Sequence, residues 1–136
     1  MHRFRYREFI ERLEYKVPHH ECMEYDQYDT LVAVNFVWRD QDGEVRGALR
    51  ISPTSKPYMI KDIWPLIIET MELPASNDIW EATRLCIDYG LTKEISERIH
   101  VELPCALQEY GLLNNIKGYI GVAPPGLWKY TFTRFG

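Results

Sequence analysis

The chain has 136 residues, enough for one domain and not comfortably for two, and its 46% hydrophobic and 26% charged residues exclude global disorder. A net charge of −4 argues against a nucleic-acid binder, which usually carries a basic excess. No apolar run approaches the roughly 18 residues of a membrane span, and the N-terminus is charged rather than hydrophobic, so neither a span nor a secretory signal is expected.

Residues 3–15 read as a helix with Phe9 and Leu13 on an apolar stripe, supplemented by Phe4, Tyr6 and Ile10. The basic residues Arg3, Arg5, Arg7, Arg12 and Lys16 interleave with Glu8, Glu11 and Glu14, as on a solvated helix face. Pro18 ends that helix. Residues 19–30 are polar and acidic and read as loop. Residues 31–38 are rich in β-formers, Asp42-Gly43 signals a hairpin turn, and residues 44–51 return as a second strand. Gly47 inside that strand marks a bulge or a close approach.

Pro53 and Pro57 make residues 52–58 a loop, and residues 60–71 predict a helix with Pro65 near its start. Residues 74–78 are loop, and residues 79–87 predict a strand. Thr92 is a plausible N-cap, without a capping box because Ile95 stands three residues on. The helix from about Lys93 to Tyr110 should kink or divide at Pro104 and end on Gly111 as its C-cap. Residues 116–122 read as strand, Pro124-Pro125 as turn, and residues 127–134 as a last short helix. The order α, β, β, α, β, α, β, α predicts one α/β domain over residues 1–136, a mixed central sheet flanked by helices.

Three separated fragments carry the chemistry. Asp26 and Asp29 lie in a loop before a strand, with Glu24 beside them. Carboxylates there could hold a cation, a metal or an amino group, or simply solvate a turn. Magnesium or calcium would need more oxygen ligands at tighter spacing. Arg50 sits at a strand end, where its fork of donors can brace carboxylates. Glu81 and Arg84 stand three apart, so an unbroken strand would turn them to opposite sides unless a bulge realigns them, whereas Thr83 shares a face with Glu81. Trp80 reads as a core or pocket aromatic. The three cysteines, Cys22, Cys86 and Cys105, include no Cys-x-x-Cys pair, which suits free thiols in a reducing cytoplasm and predicts no zinc site.

Taken together these residues resemble the acyl-homoserine-lactone synthases, the autoinducer synthases of bacterial quorum sensing, from about Arg5 to Gly136. Arg5, Phe9 and Tyr15 match the family's opening, with tyrosine for its tryptophan. Glu24, Asp26 and Asp29 match its E-x-D-x-x-D-like loop, and Arg50-Ile51-Ser52-Pro53-Thr54 its R-L-x-P-T strand end. Pro57-Tyr58-Met59-Ile60-Lys61-Asp62-Ile63-Trp64 matches P-Y-M-L-x-D-x-F, and Trp80-Glu81-Ala82-Thr83-Arg84-Leu85 matches W-E-x-S-R-F. The departures at Tyr15, Trp64 and Leu85 fall on aromatic positions near the substrate. Family members begin earlier than Met1 and continue beyond the position of Gly136, so terminal elements are expected to be missing.

The resemblance implies the Gcn5-related N-acetyltransferase (GNAT) fold. It implies transfer of an acyl group from acyl-carrier protein or acyl-coenzyme A to the amine of S-adenosylmethionine, then lactonisation with release of methylthioadenosine. Both partners are substrates, and neither a cofactor nor a metal is implied. Glu81 would be the general base, with Arg50 and Arg84 ordering the carboxylates or meeting the acceptor's carboxylate. Asp26 and Asp29 would serve the cationic acceptor, with Arg5, Phe9, Trp64 and Thr83 also on the substrate. The acyl pocket would draw on Leu103, Ala106, Leu107, Ile120, Val122 and Ala123. Val122 or Ala123, where some relatives carry a threonine for a 3-oxo group, implies an unsubstituted acyl chain. Alternatives are an N-acyltransferase of the same fold acting on another amine, such as an amino acid, and a non-catalytic relative.

Overall fold

The computed structural model describes residues 1–64, 66, 69 and 71–129. In chain order its elements are α1 (His2–Tyr6), continued by a π-helical turn (Arg7–Arg12), then β1 (His19–His20), β2 (Met23–Glu24), β3 (Val34–Arg39) and β4 (Val45–Pro53). There follow α2 (Met59–Ile63), β5 (Ile79–Ile87), α3 (Lys93–Leu113), β6 (Gly118–Ile120) and α4 (Pro125–Trp128). β1 and β2 form a small separate hairpin, and the main sheet runs β3-β4-β5-β6. Its first two pairings are antiparallel and the last is parallel, with α3 as the crossover that a parallel pair requires. The sheet is therefore mixed and flanked by helices, as the order of elements predicts.

Alternation along β4 sorts its residues onto two faces. Leu49 and Ile51 meet Leu107 of α3 on one face, joined by Trp80, Ala82 and Leu85 of β5 and by Tyr110 and Tyr119. On the other face Ala48 and Cys86 pack against Phe4 and Phe9 of the N-terminal segment. Arg50, Ser52, Glu81 and Thr83 share this second face and are buried. Gly47 lets α3 approach, since a Cβ there would stand 2.7 Å from Ile99 Cγ2.

A bulge in β5 decides which residues meet on the second face. Ala48 pairs with Cys86 and Arg50 with Thr83, so Leu49 alone opposes both Arg84 and Leu85. Arg84 is the bulged residue, at φ +59°, a conformation that side chains rarely adopt. On an unbroken strand Thr83 and Leu85 would share a face. With the bulge, Leu85 joins the apolar layer under α3 while Thr83 and Arg84 both reach the charged side.

The structure corrects several boundaries. The predicted helix over residues 3–15 changes to a π-turn at Arg7 and ends at Arg12. Residues 19–30 contain the β1-β2 hairpin, whose turn residues Glu21 and Cys22 both have positive φ. The first long strand begins at Val34, leaving Leu31 exposed. Thr92 caps α3, accepting from Ile95 N at 3.5 Å. α3 runs through Pro104 without dividing and continues to Leu113, so Gly111 lies inside it and Asn114 is the C-cap. The helix expected over residues 60–71 appears as Met59–Ile63; residues 65, 67, 68 and 70 of that expectation lie outside the described residues. The last helix begins at Pro125, and residues 130–134 of that expectation also lie outside.

Candidate active site

Asp26 and Asp29 are the ends of one tight turn. Asp29 N donates to Asp26 O at 3.1 Å, while Asp26 Oδ1 accepts from Tyr28 N and Asp29 Oδ2 from Asp26 N, each at 2.9 Å. The three-residue spacing thus brings two carboxylates side by side, self-braced as Asp side chains in turns commonly are. Tyr28 between them is buried; its hydroxyl donates to Asp62 Oδ2 of α2 at 2.9 Å, and its ring lies 5.9 Å from the Arg50 guanidinium carbon.

Three arginines from three elements converge on this turn. Arg5 of α1 grips Asp29 with both terminal nitrogens, at 2.8 and 3.0 Å, and donates Nε to Glu24 at 2.5 Å. Arg50 of β4 grips Asp26 at 2.6 and 3.1 Å and donates Nε to Thr83 Oγ1 at 3.1 Å. Arg84 joins Asp26 at 2.7 Å to Glu24 at 3.1 Å, with its guanidinium 5.7 Å from the Phe9 ring centre. Burial opposes ionisation of Asp29, but the hydrogen bonds from Arg5 and the Asp26 amide and the charges of Arg50 and Arg5 outweigh it and hold the carboxyl well below its usual range.

Glu81 stands beside this network in a different setting. It is 1% exposed; its Oε2 accepts from Met59 N at 3.0 Å and its Oε1 from Ile60 N at 2.6 Å. These are the first two amides of α2, which has no side-chain cap of its own. Burial pushes the Glu81 carboxyl up, against the opposing pull of those two amides and of Arg50, and Asp26 adds to the rise. Glu81 therefore favours its protonated form more than an ordinary glutamate, whereas Asp29 is locked as an anion. Ser52, directly opposite Glu81 across the β4-β5 ladder, carries the only buried side-chain polar atom among the described residues without a hydrogen-bond partner.

A cleft of about 1060 Å³ opens next to this cluster. Its origin is topological. β6 pairs only with Ile79, Trp80 and Glu81, and beyond these the two strands part. Gly121 marks the parting: a Cβ there would stand 3.1 Å from Ala82 O. The cleft then runs through the sheet. Its walls include Phe9, Thr83, Arg84 and Met59 from the charged face and Leu49, Leu85, Leu107 and Tyr119 from the apolar face.

The residues singled out in the sequence thus separate into groups. Arg5, Asp26, Asp29, Arg50, Thr83 and Arg84 form one bonded network, with Glu81 adjoining it. Phe9, Thr83, Arg84, Leu107, Val122 and Ala123 line the cleft. Leu103 instead is buried beneath Gly47, near the position of an added Cβ at 3.3 Å, and Trp64 is the half-exposed C-cap residue of α2; neither lines the cleft. Trp80 is core, donating Nε1 to Asn77 O at 2.8 Å. Glu24, fully buried between Arg5 and Arg84, carries more of the network than its place at the edge of the acidic run suggests. Tyr28 ties the acidic turn to α2 through Asp62, and an aromatic set between two aspartates is a usable sequence signal for such a residue. The link from Glu81 to α2 spans more than twenty residues and leaves no local signature.

The sequence model described as "Autoinducer synthase" matches residues 1–123. An acyl-homoserine-lactone synthase of Acinetobacter nosocomialis is 37% identical over 90 residues, covering 64% of this chain and 48% of the relative. The crystal structure of the AHL synthase LasI superposes with a TM-score of 0.86 at 33% identity, covering 98% of this chain and 68% of LasI. The crystal structure of TofI, in a ternary complex with an inhibitor and MTA, gives 0.81 at 31% identity, covering 99% of this chain and 68% of TofI. The chain thus spans about half the length of that curated relative and about two thirds of the two solved structures. These likenesses bear out the GNAT-like α/β architecture expected from the motifs. With the match extending over most of its length, the chain belongs to the autoinducer synthase family.

Proposed function

We propose that this chain carries the acyl-transfer centre of an acyl-homoserine-lactone synthase. The single observation that carries the reading is the cleft that crosses the sheet, charged at one mouth and apolar at the other. A molecule bearing both an ammonium and a sulfonium would enter at the first mouth, where Thr83 and Arg84 of the wall are backed by the carboxylate turn, and an acyl tail would take the second. The acceptor would be S-adenosylmethionine, and the donor an acyl thioester on carrier protein or coenzyme A. The MTA bound in TofI is consistent with an adenosyl acceptor.

In the proposed reaction the acceptor's ammonium first loses a proton to Glu81. Because Glu81 does not itself line the cleft, the proton passes through a water. The amine then attacks the thioester carbonyl carbon. The new C–N bond forms as the C–S bond breaks, and the leaving thiolate takes up a proton. The acceptor's carboxylate oxygen next attacks the carbon bonded to the sulfonium, closing the lactone and expelling methylthioadenosine. Arg84 and Arg50 hold the carboxylate turn in place during these steps. The scheme consumes two substrates and draws on no cofactor.

The reducing cytoplasm is the compartment we infer, supported by unpaired Cys22, Cys86 and Cys105 and by the absence, among the described residues, of a helix long and apolar enough to cross a membrane.

The test is incubation of the protein with S-adenosylmethionine and acyl thioesters, followed by mass spectrometry. Acyl lactone and methylthioadenosine should form in equal amounts, with unsubstituted chains favoured over 3-oxo chains. Glu81→Gln should lower kcat by about 10²–10⁴-fold. Absence of lactone, or a Glu81→Gln variant matching the parent, overturns the reading; acylation of free amino acids in its place moves the acceptor class.

A further inference from the structure

We infer that Tyr119, seated by Gly111, is the stop that sets the length of acyl chain this cleft accepts. The inference rests on the acyltransferase reading and names the specificity element within it.

The parting of β5 and β6 begins just past Ile120, so Tyr119, on the last paired stretch of β6, stands in the apolar part of the cleft wall together with Leu107 and Gly111. Its ring belongs to the apolar layer between sheet and α3, with Leu49, Leu85 and Leu107. A straight apolar tail entering from the charged face passes between the parted strands and reaches this layer, where polar contacts are few. There the Tyr119 ring crosses the space between β6 and α3, and its hydroxyl donates to Leu107 O at 2.9 Å. That bond fixes the ring as a wall.

Gly111 explains how the ring fits. It lies inside α3 rather than at its end, where glycine is unfavourable without a packing reason. A Cβ on Gly111 would stand 2.6 Å from the Tyr119 hydroxyl oxygen and 3.3 Å from Cζ. The ring tip therefore occupies the space that any other residue would fill. Removing the ring deepens the slot, and adding a methyl group at Gly111 pushes the ring into it. The two substitutions act on chain length in opposite directions, which a role in folding alone would not produce.

The experiment measures binding of non-reactive alkyl thioether analogues of the acyl thioester, of increasing chain length, to the parent, Tyr119→Ala, Tyr119→Phe and Gly111→Ala proteins. The same series of thioesters is then run in the lactone assay. The optimum should lengthen by at least one two-carbon step in Tyr119→Ala and shorten by as much in Gly111→Ala. Tyr119→Phe, which loses only the fixing bond, should keep the optimum and discriminate less sharply against the next longer chain. An optimum unmoved in both Tyr119→Ala and Gly111→Ala, with melting temperatures showing both folded, overturns the stop while leaving the acyltransferase reading intact. A parent that binds no alkyl analogue overturns both.

Discussion

Two carboxylates in this site are held in opposite protonation regimes, and their neighbours explain why. Asp29 takes the full fork of Arg5 and stays ionised, whereas Glu81 is buried against two amides and its carboxyl is pushed above the ordinary value of 4.5. A general base is active when ionised, so kcat/KM should rise with pH on an acid limb whose apparent pKa lies above that ordinary value. A pH–rate profile checks it, and a limb at or below the ordinary glutamate range would count against Glu81. The same shift has a stability sign. The folded chain binds this proton more tightly than the unfolded chain, so the group's contribution is largest at low pH and declines as pH rises from the ordinary value to the raised one. The acidic turn was legible in the sequence because its three-residue spacing is that of a β-turn. The status of Glu81 was not, since it depends on amides contributed by α2.

At the scale of elements, the hairpin around Gly43, the strand over residues 79–87 and the Thr92 cap were all readable from local chemistry, because glycine, alternation and a hydroxyl N-cap act within a few residues. The π-turn at Arg7–Arg12 and the β1-β2 hairpin were not. The first presents the same apolar stripe as an ordinary helix, and the second turns on Glu21 and Cys22, neither of which advertises positive φ. Gly47 in the sequence signals a bulge or a close approach, and both hold: α3 presses on it, while the register slips beside it between Trp38 and Arg39. Gly47→Ala places a methyl group 2.7 Å from Ile99 Cγ2, inside a packed layer. Overpacking of this kind costs about 1–3 kcal/mol, and denaturant unfolding should show a loss in that range.

Across the whole molecule, two ion-pair networks tie the N-terminal segment to the sheet, and they should differ sharply in energetic weight. Arg5 is fully buried between Glu24 and Asp29. Arg7 is half-exposed where it meets Asp88, 3.0 Å away, a carboxylate that Arg46 also holds at 2.7 Å. Removing one partner of a buried pair leaves an uncompensated charge and costs about 3–5 kcal/mol, whereas an exposed pair is worth about 0–1 kcal/mol. Arg5→Ala should therefore destabilise the fold by several times more than Arg7→Ala in matched unfolding experiments; equal losses would mean that Arg5 is not the anchor its burial indicates. The parting of β5 from β6, which creates the cleft, was invisible to the sequence: the segment over residues 116–122 reads as an ordinary strand, yet only three of its residues pair.

The extra residue at Arg84 gives β5 an uneven response to changes in length. Leu49 alone faces both Arg84 and Leu85, so losing Arg84 leaves Leu85 opposite Leu49 and Cys86 opposite Ala48, one to one. Leu85 and Cys86 then keep their present sides, and the loss falls on one guanidinium and its bonds to Asp26 and Glu24. Losing Ala82 instead moves Thr83 off the charged face and breaks its bond to Arg50. Deleting Arg84 and replacing it with alanine should therefore lower the melting temperature by similar amounts, and a deletion far worse than the replacement would mean that the bulge itself holds the strand. The bulge is a spare place in the register, filled by the side chain that bridges Glu24 and Asp26.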